Sequence, residues 1–345
     1  MCNIAGYAGN RRAAPILLEM LKRQQIYDGG CGAGIATVHN GVMYMRKIVG
    51  TVDDLISKTD AMDLPGTIGI IHTRPGASPA DFIHPHMSED GKLAMVQNGN
   101  LYHDKYKPMR DANAQKVCDR GYKYIAGAGG NSSYPHLADG TNVPVAEVAA
   151  HLTAMHRKEG LSYSEALARA NEDEYAELVS VMLTANDPDT IRALRITAPM
   201  MAVVGEDETF IATCPYAFDE GIYAPYFCLP ELAVCEIGRG SLTVTGHRVK
   251  TEPIDAPTPR TYEIATKLVE DFLRENNKSK DKYFTDIEIL LRDHKKELFD
   301  NDRTYTQHAR VGYDVVCQLD REGKIKSEVR MNPEGTRKLR YMWMD

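Results

Sequence analysis

The amino-acid sequence predicts an α+β fold in which antiparallel sheets carry helices on their outer faces. Two observations lead there. Strand-like and helix-like segments come in blocks rather than in strict βαβα alternation, and a run of short strands separated by turns fills residues 176 to about 249. Element by element, residues 2–9 alternate small and apolar side chains, the pattern of a strand. Ala13–Gln25 carries Ile16, Leu17, Met20 and Leu21 at helical spacing. Residues 34–38 and Val42–Ile48 flank His39-Asn40-Gly41, and Asn-Gly is a strong signal for a tight hairpin turn. Residues 67–72 and 92–97 read as two further strands. Residues 108–120 read as a helix, with proline in the first turn and Gly121 behind the end. A loop rich in small residues (127–140) precedes helices over 146–157 and 162–171. Strands are expected over 176–184, 191–196, 200–204 and 209–212. The proline-rich stretch 251–259 reads as a linker. Helices over 261–276 and 285–300 follow, and then a hairpin pairing 312–319 with 324–331. Two units are therefore expected: residues 2–250, and a small C-terminal α+β module over 260–345.

Composition narrows the function. With 345 residues, 43% of them hydrophobic and 26% charged, the chain can build a sizeable core and is not a disordered polymer. The net charge of -7 disfavours a nucleic-acid surface, which needs clustered Lys and Arg to neutralise phosphates. The longest charge-free stretch, 29–45, is broken by glycines and by His39-Asn40, so no membrane span is expected, and no secretory leader either. Seven cysteines without a CxxC pair fit free thiols in a reducing cytoplasm. The run GGCGAG (29–34) contains a GxGxG pattern but leads into a strand rather than a helix, which disfavours a dinucleotide. His72, His84 and His86 lack a carboxylate partner or helical spacing, which disfavours a metal site. No cofactor is expected.

Cys2 stands apart by position. A small second residue predicts removal of Met1, which would leave Cys2 with a free α-amine. A thiol of pKa about 8.5 then shares a residue with an amine of pKa about 7.7–8.0. Once neutral, that amine can act as general base on the thiol, so one residue supplies both nucleophile and base.

Several segments, in order, resemble the glutaminase domain of the class II glutamine amidotransferases, a branch of the N-terminal-nucleophile hydrolases. They are Met-Cys-Asn-Ile-Ala-Gly at the start, Tyr27-Asp28-Gly29 through Ala33-Gly34-Ile35-Ala36, and His72-Thr73-Arg74. Next come His84-Pro85-His86, Val96-Gln97-Asn98-Gly99, Arg120-Gly121-Tyr122 and Glu147-Val148-Ala149-Ala150-His151-Leu152. The likeness runs from Cys2 to about Lys250 and extends to the glutaminase domains of glucosamine-6-phosphate synthase and the split glutamate synthases. It implies a four-layer αββα sandwich in which Cys2 attacks the side-chain amide of glutamine, giving a thioester and ammonia before water releases glutamate. It also implies that the Asn98 side chain and the Gly99 N–H hold the oxyanion. Arg74 would clamp the substrate carboxylate, and Thr73 and Ser78 are expected to bind substrate beside it.

The departures are equally specific. The family commonly has Arg where Asp28 stands, and its run after His-Thr-Arg differs from Pro75-Gly76-Ala77-Ser78. The family's ammonium-binding Asp falls at Val145. Losing such a charge partner costs on the order of 2–5 kcal/mol. Either Asp139 from the preceding loop fills the place, or the substrate is another amide that keeps a carboxylate for Arg74. About 95 residues follow Lys250, fewer than the synthase, isomerase or phosphoribosyltransferase domains usual in the family. If ammonia is passed on, the expected acceptor is a separate synthase subunit, with the C-terminal module as the docking candidate or else a structural cap. Self-association is left open. The alternatives are a degenerate amidotransferase fold that binds an amino-acid-like ligand or a partner, and a hydrolase of this class for a different amide.

Overall fold

The computed structural model describes residues 2–27, 29–76, 79–100, 104–126, 133–174, 176–251, 253–275, 281–300, 306–331 and 337–344. Strand β1 (Asn3–Ala8) is followed by helix α1 (Ala13–Gln25), the β2–β3 hairpin (Gly32–His39, Val42–Ile48), α2 (Val52–Lys58) and β4 (Ile68–Arg74). Then come β5 (His86–Met87), β6 (Leu93–Asn100), α3 (Lys107–Asp119), α4 (Val145–Lys158) and α5 (Tyr163–Glu174). Strands β7 (Glu177–Thr184), β8 (Asp187–Arg195), β9 (Met201–Val204), β10 (Thr209–Ala212), β11 (Phe227–Cys228), β12 (Ala233–Gly238) and β13 (Ser241–Arg248) complete this part. The hairpin turn has Asn40 and Gly41 at φ 50° and 71°, the left-handed pair that a two-residue turn demands. Helix α2, not expected from the sequence, starts at a capping box in which Thr51 and Asp54 bond each other's backbone N–H.

Among the described residues, one sheet has the order β11-β9-β10-β1-β4-β2-β3 and a second the order β13-β12-β8-β7-β6-β5. The pairings within both are antiparallel. Their inner faces meet in a shared core, where Ile4, Ala36, Val38 and Ile70 of the first sheet pack with Val96, Val179, Val181, Ile191 and Ile237 of the second. The outer face of the first sheet (Ala5, Tyr7, Ile35, Ile71) packs on α1 and α2 through Leu17, Leu18, Leu21 and Leu55. The outer face of the second (Leu93, Met95, Met182, Leu194) packs on α4 and α5 through Ala146, Ala149, Ala150 and Leu167. The layers are thus α, β, β, α, as the resemblance implied. The period of two along each strand decides which residues face the gap between the sheets.

Beyond β13 lie α6 (Pro259–Glu275), β14 (Lys282–Tyr283), α7 (Phe284–Asp293), α8 (Lys295–Phe299), α9 (His308–Arg321), β15 (Ile325–Met331) and β16 (Arg337–Trp343). The expected helix over 285–300 is broken at His294, whose ring Nδ1 lies 2.8 Å from the Leu290 carbonyl. The expected hairpin is wrong in its first strand. Residues 312–319 belong to α9, and β15 pairs instead with β16. The valines at 311, 315 and 316 suggest a strand, but Arg310, Asp314 and Gln318 recur every four residues. They form the polar stripe of a helix that is otherwise mostly buried.

The C-terminal elements share a core with the sandwich. Tyr27 and Cys214 pack among Phe284, Tyr313, Leu339 and Tyr341, and the Leu339 N–H donates to the Ile26 carbonyl at 2.6 Å. Fully buried Arg195 forms a second tie. Its guanidinium donates to the carbonyls of Ala198 (3.1 Å) and Leu229 (2.9 Å), and to the Gln307 side chain just before α9. Removing one partner from a buried charged network costs about 3–5 kcal/mol. Arg195→Ala should therefore lower the thermal unfolding midpoint clearly; a midpoint unchanged by calorimetry would show that this tie contributes nothing. No helix among the described residues is long and apolar enough to cross a membrane.

Candidate active site

Cys2 immediately precedes β1, in the middle of the first sheet. Its even parity with Ile4 directs the side chain toward the gap between the sheets. The start of β1 is locked from the α1 side. The Gln24 side chain donates through Nε2 to the Ile4 carbonyl (3.2 Å) and accepts through Oε1 from the Cys214 N–H (3.3 Å), and the Gln24 backbone carbonyl accepts from the side-chain Nδ2 of Asn3 (3.2 Å). The Ile4 N–H donates to Thr213 Oγ1 at 2.9 Å. A nucleophile at the end of a strand held this way has a fixed position.

From the opposite sheet, β6 presents Asn98 with the same parity as Val96. The Cys2 nitrogen donates to Asn98 Oδ1 at 3.2 Å. The other end of that amide, Nδ2, is buried and has no hydrogen-bond partner among the described residues. One side chain thus orients the Cys2 nitrogen and keeps a donor free. Gly99 follows at φ 149°, a conformation that favours glycine. Behind β6, Gln97 Nε2 donates to Glu174 Oε2 (2.8 Å) and Ser180 Oγ (3.0 Å), and Ser180 Oγ donates to Asn171 (2.7 Å). Burial pushes the Glu174 carboxyl well above the usual range, which favours its neutral form inside this network.

A cavity of about 70 Å³ opens beside Cys2. Cys2, Arg74, Gly99, Tyr134, Val145 and Leu178 are among the residues that line it. Burial raises the Cys2 thiol above its ordinary pKa, while Arg74 pulls it back. The guanidinium of Arg74 is anchored through Nη1 to the Phe82 carbonyl at 3.3 Å. His72 and His84 stack with ring centroids 4.2 Å apart, and His86 meets His84 edge-on at 4.8 Å. Burial holds His72 at a pKa of about 3 and the other two well below the ordinary imidazole value, so all three are neutral. His84 Nδ1 accepts from the Gln97 N–H at 3.1 Å. His72 and His84 also line the cavity, while His86 packs behind them. Gly34 is required there, because a Cβ would lie 2.1 Å from the His84 carbonyl. Among the described residues, no group of three or more His, Cys, Asp or Glu side chains is arranged to hold a metal ion.

Of the residues singled out in the sequence, Cys2, His72, Arg74, His84, Gln97 and Gly99 line the cavity, and Asn98 touches the Cys2 nitrogen. Thr73 does not. Strand alternation turns it away, and its hydroxyl donates to the Gly32 carbonyl (2.9 Å) and accepts from the Gly30 N–H (3.0 Å), tying down the entry to β2. Asp139 is exposed and accepts from the Thr141 N–H at 2.9 Å in its own turn, outside the cavity lining. Asp28, Ala77 and Ser78 lie outside the described residues. The residue sequence reasoning missed is Tyr134. Its only signal was a single aromatic in a loop of small and polar residues. Glu147 of the family-like segment is buried in the first turn of α4 and accepts from the Ile125 and Ala126 N–H groups at 2.5 and 3.0 Å.

This geometry, with a strand-end cysteine between two sheets and near a free amide donor, is that of the N-terminal-nucleophile hydrolase fold. Comparisons with known proteins narrow the class. No family model matches the chain. Glutamine–fructose-6-phosphate aminotransferase (isomerizing) of Pyrococcus horikoshii is 29% identical over 221 residues, which are 63% of this chain and 33% of that protein. The protein of the same name from Escherichia coli is 30% identical over 263 residues, 74% of this chain and 39% of its own. Glutamine phosphoribosylpyrophosphate amidotransferase from B. subtilis, solved with ADP and GMP, superposes with a TM-score of 0.59 at 15% identity, covering 97% of this chain and 68% of that one. The chain belongs to the class II glutamine amidotransferases. It spans about a third of the length of the curated relatives it matches.

Proposed function

We propose that this chain hydrolyses the side-chain amide of L-glutamine to glutamate and ammonia through a thioester on Cys2, after removal of Met1. The observation that supports this reading most directly is the Cys2 nitrogen set 3.2 Å from Asn98 Oδ1, beside a cavity that also holds Arg74. With Met1 gone that nitrogen is the α-amine. It takes the thiol proton as sulfur attacks the amide carbon. The resulting oxyanion sits against Asn98 Nδ2 and the Gly99 N–H. The C–N bond then breaks, and the proton held on the α-amine passes to the departing nitrogen, which leaves as ammonia. The same amine next takes a proton from water as water attacks the thioester, and glutamate departs with the thiol restored. The neutral histidines take no part in these proton transfers.

The ammonia is destined either for bulk water, as in a glutaminase, or for an acceptor on a separate synthase subunit. In the second case the C-terminal elements are the docking candidate, since β15 exposes Val329 and Met331. The deciding experiment follows glutamate released from glutamine by purified protein whose intact mass lacks Met1. The expected result is turnover, together with covalent labelling of Cys2 by a glutamine-like diazo-ketone. Processed protein that neither turns over glutamine nor takes the label would overturn the proposal and favour a binding protein on an inactive amidotransferase fold.

A further inference from the structure

The first sheet carries a second cavity on the face turned away from the Cys2 side chain. Its floor follows from strand register. Tyr7 of β1 pairs with Phe210 of β10, and Phe210 with Val203 of β9, so all three emerge on the outer face. Tyr7 is buried there with the apolar residues of α1, while Phe210 and Val203 are only half-buried. One wall is α1, where Ile16, Glu19, Met20 and Arg23 share a helical stripe. The other wall is the chain after β10, which brings Phe218, Asp219 and Glu220 to the lining. The cavity holds about 480 Å³, against about 70 Å³ beside Cys2. That volume lies within the roughly 300–1,000 Å³ of small-molecule pockets.

The charges of the lining are arranged unevenly. Arg23 donates to Glu19 at 3.2 Å and, across to the other wall, to Asp219 at 2.7 Å. Glu220 adds a third carboxylate to the same lining. Arg11, just before α1, donates to both carboxylate oxygens of Glu208, at 2.6 and 2.8 Å. Beyond Arg11 the cavity runs on into a depression of about 320 Å³ that shares Arg11, Val203 and Phe210 with it and adds Glu206, Asp207 and Glu208. Arg239 approaches that end through Asn10 Oδ1 at 2.5 Å, outside both linings. Together the two linings hold six carboxylates and two guanidiniums, and both guanidiniums are already engaged by carboxylates. Such a rim attracts a cation and repels an anion. We propose that this cavity is a second ligand site, for a small amine with an aromatic or branched aliphatic body. The body lies against Met20, Val203, Phe210 and Phe218, where burial of apolar surface drives binding, and the ammonium lies beside Glu19, Asp219 and Glu220. A floor with two walls encloses a small molecule more completely than it would a docked protein segment. The sheet separates this site from the chemistry at Cys2, so it does not depend on the glutaminase reading.

Calorimetry on the full chain compares three probes that share one body: 2-phenylethylamine, 2-phenylethanol and 3-phenylpropanoate. The amine is expected to bind most tightly and the propanoate most weakly, with about threefold between amine and alcohol, the scale of one exposed charge pair. The gap should narrow as salt is raised. Glu220→Gln should weaken the amine by about that threefold and leave the alcohol unchanged. Val203→Trp, which fills the floor, should abolish binding of both. Cys2→Ala should bind all three as the parent does, which separates this site from the cavity beside Cys2. The inference is overturned if none of the probes binds saturably, if the propanoate binds as tightly as the amine, or if Val203→Trp folds by circular dichroism and binds unchanged. A parent chain that sediments as a dimer and becomes a monomer on Val203→Trp would assign this face to a second copy and overturn it equally. Should Val203→Trp fail to fold, the contrast between amine and alcohol in Glu220→Gln decides alone.

Discussion

Cys2→Ala is expected to abolish glutamate release, lowering kcat by about 10⁴-fold or more, the scale seen when a covalent nucleophile is deleted. The physical reason is that none of the described residues lining the cavity offers a substitute. The neighbouring histidines are neutral, buried and engaged with one another, so none is placed to lead a proton to water in place of the thiol and amine. The fold should survive the change. Cys2 lies just outside β1, and the interactions that hold the strand start with Asn3 and Ile4. A steady-state assay, with circular dichroism to check the fold, reads the result. Residual turnover within tenfold of the parent would remove sulfur from the mechanism. Retention of Met1 should have the same consequence for a different reason, because an amide nitrogen accepts no proton from the thiol. The intact mass therefore has to accompany every rate.

Asn98→Ala should cost about 10²–10³ in kcat, the typical price of one oxyanion donor. Two functions are lost together here. Nδ2 is the buried, unpartnered donor, and Oδ1 receives the Cys2 nitrogen at 3.2 Å. Asn98→Asp separates them, since it keeps an acceptor for the nitrogen and deletes the donor. If oxyanion stabilisation is the larger contribution, the aspartate variant falls as far as the alanine variant, or further, because a negative charge would face the developing one. Michaelis constants should move little in either, as the interaction strengthens in the transition state rather than in the ground state. An aspartate variant with parental kcat would show that Asn98 only positions Cys2.

The chain of β1, α1, the β2–β3 hairpin and the paired sheets was legible because each element carries its own local signal. Leu17 and Leu21 keep helical spacing, Asn40-Gly41 fixes a turn, and β1 alternates. Where the local signal was mixed, the reading failed. The valines of α9 favour a strand by propensity, and only burial against α6 and α7 made the helix the better solution. Helix α2 was too short to show a period, although its Thr51 cap was present in the sequence.

The site divides along the same line. The sequence by itself determined its chemical groups: the second-position cysteine, the arginine at a strand end, the Asn-Gly pair, and the valine at 145 in place of a charge. These are residue identities, and no folding is needed to read them. Only the tertiary structure decided which of them meet. Alternation along β4 put Arg74 into the cavity and turned Thr73 out of it, Asp139 stayed in its own exposed turn, and Tyr134 arrived from a loop about sixty residues from Arg74 along the chain. The reason is that a local pattern fixes the face on which a side chain emerges, whereas the partner across a gap is set by the packing of two sheets whose strands are far apart in sequence.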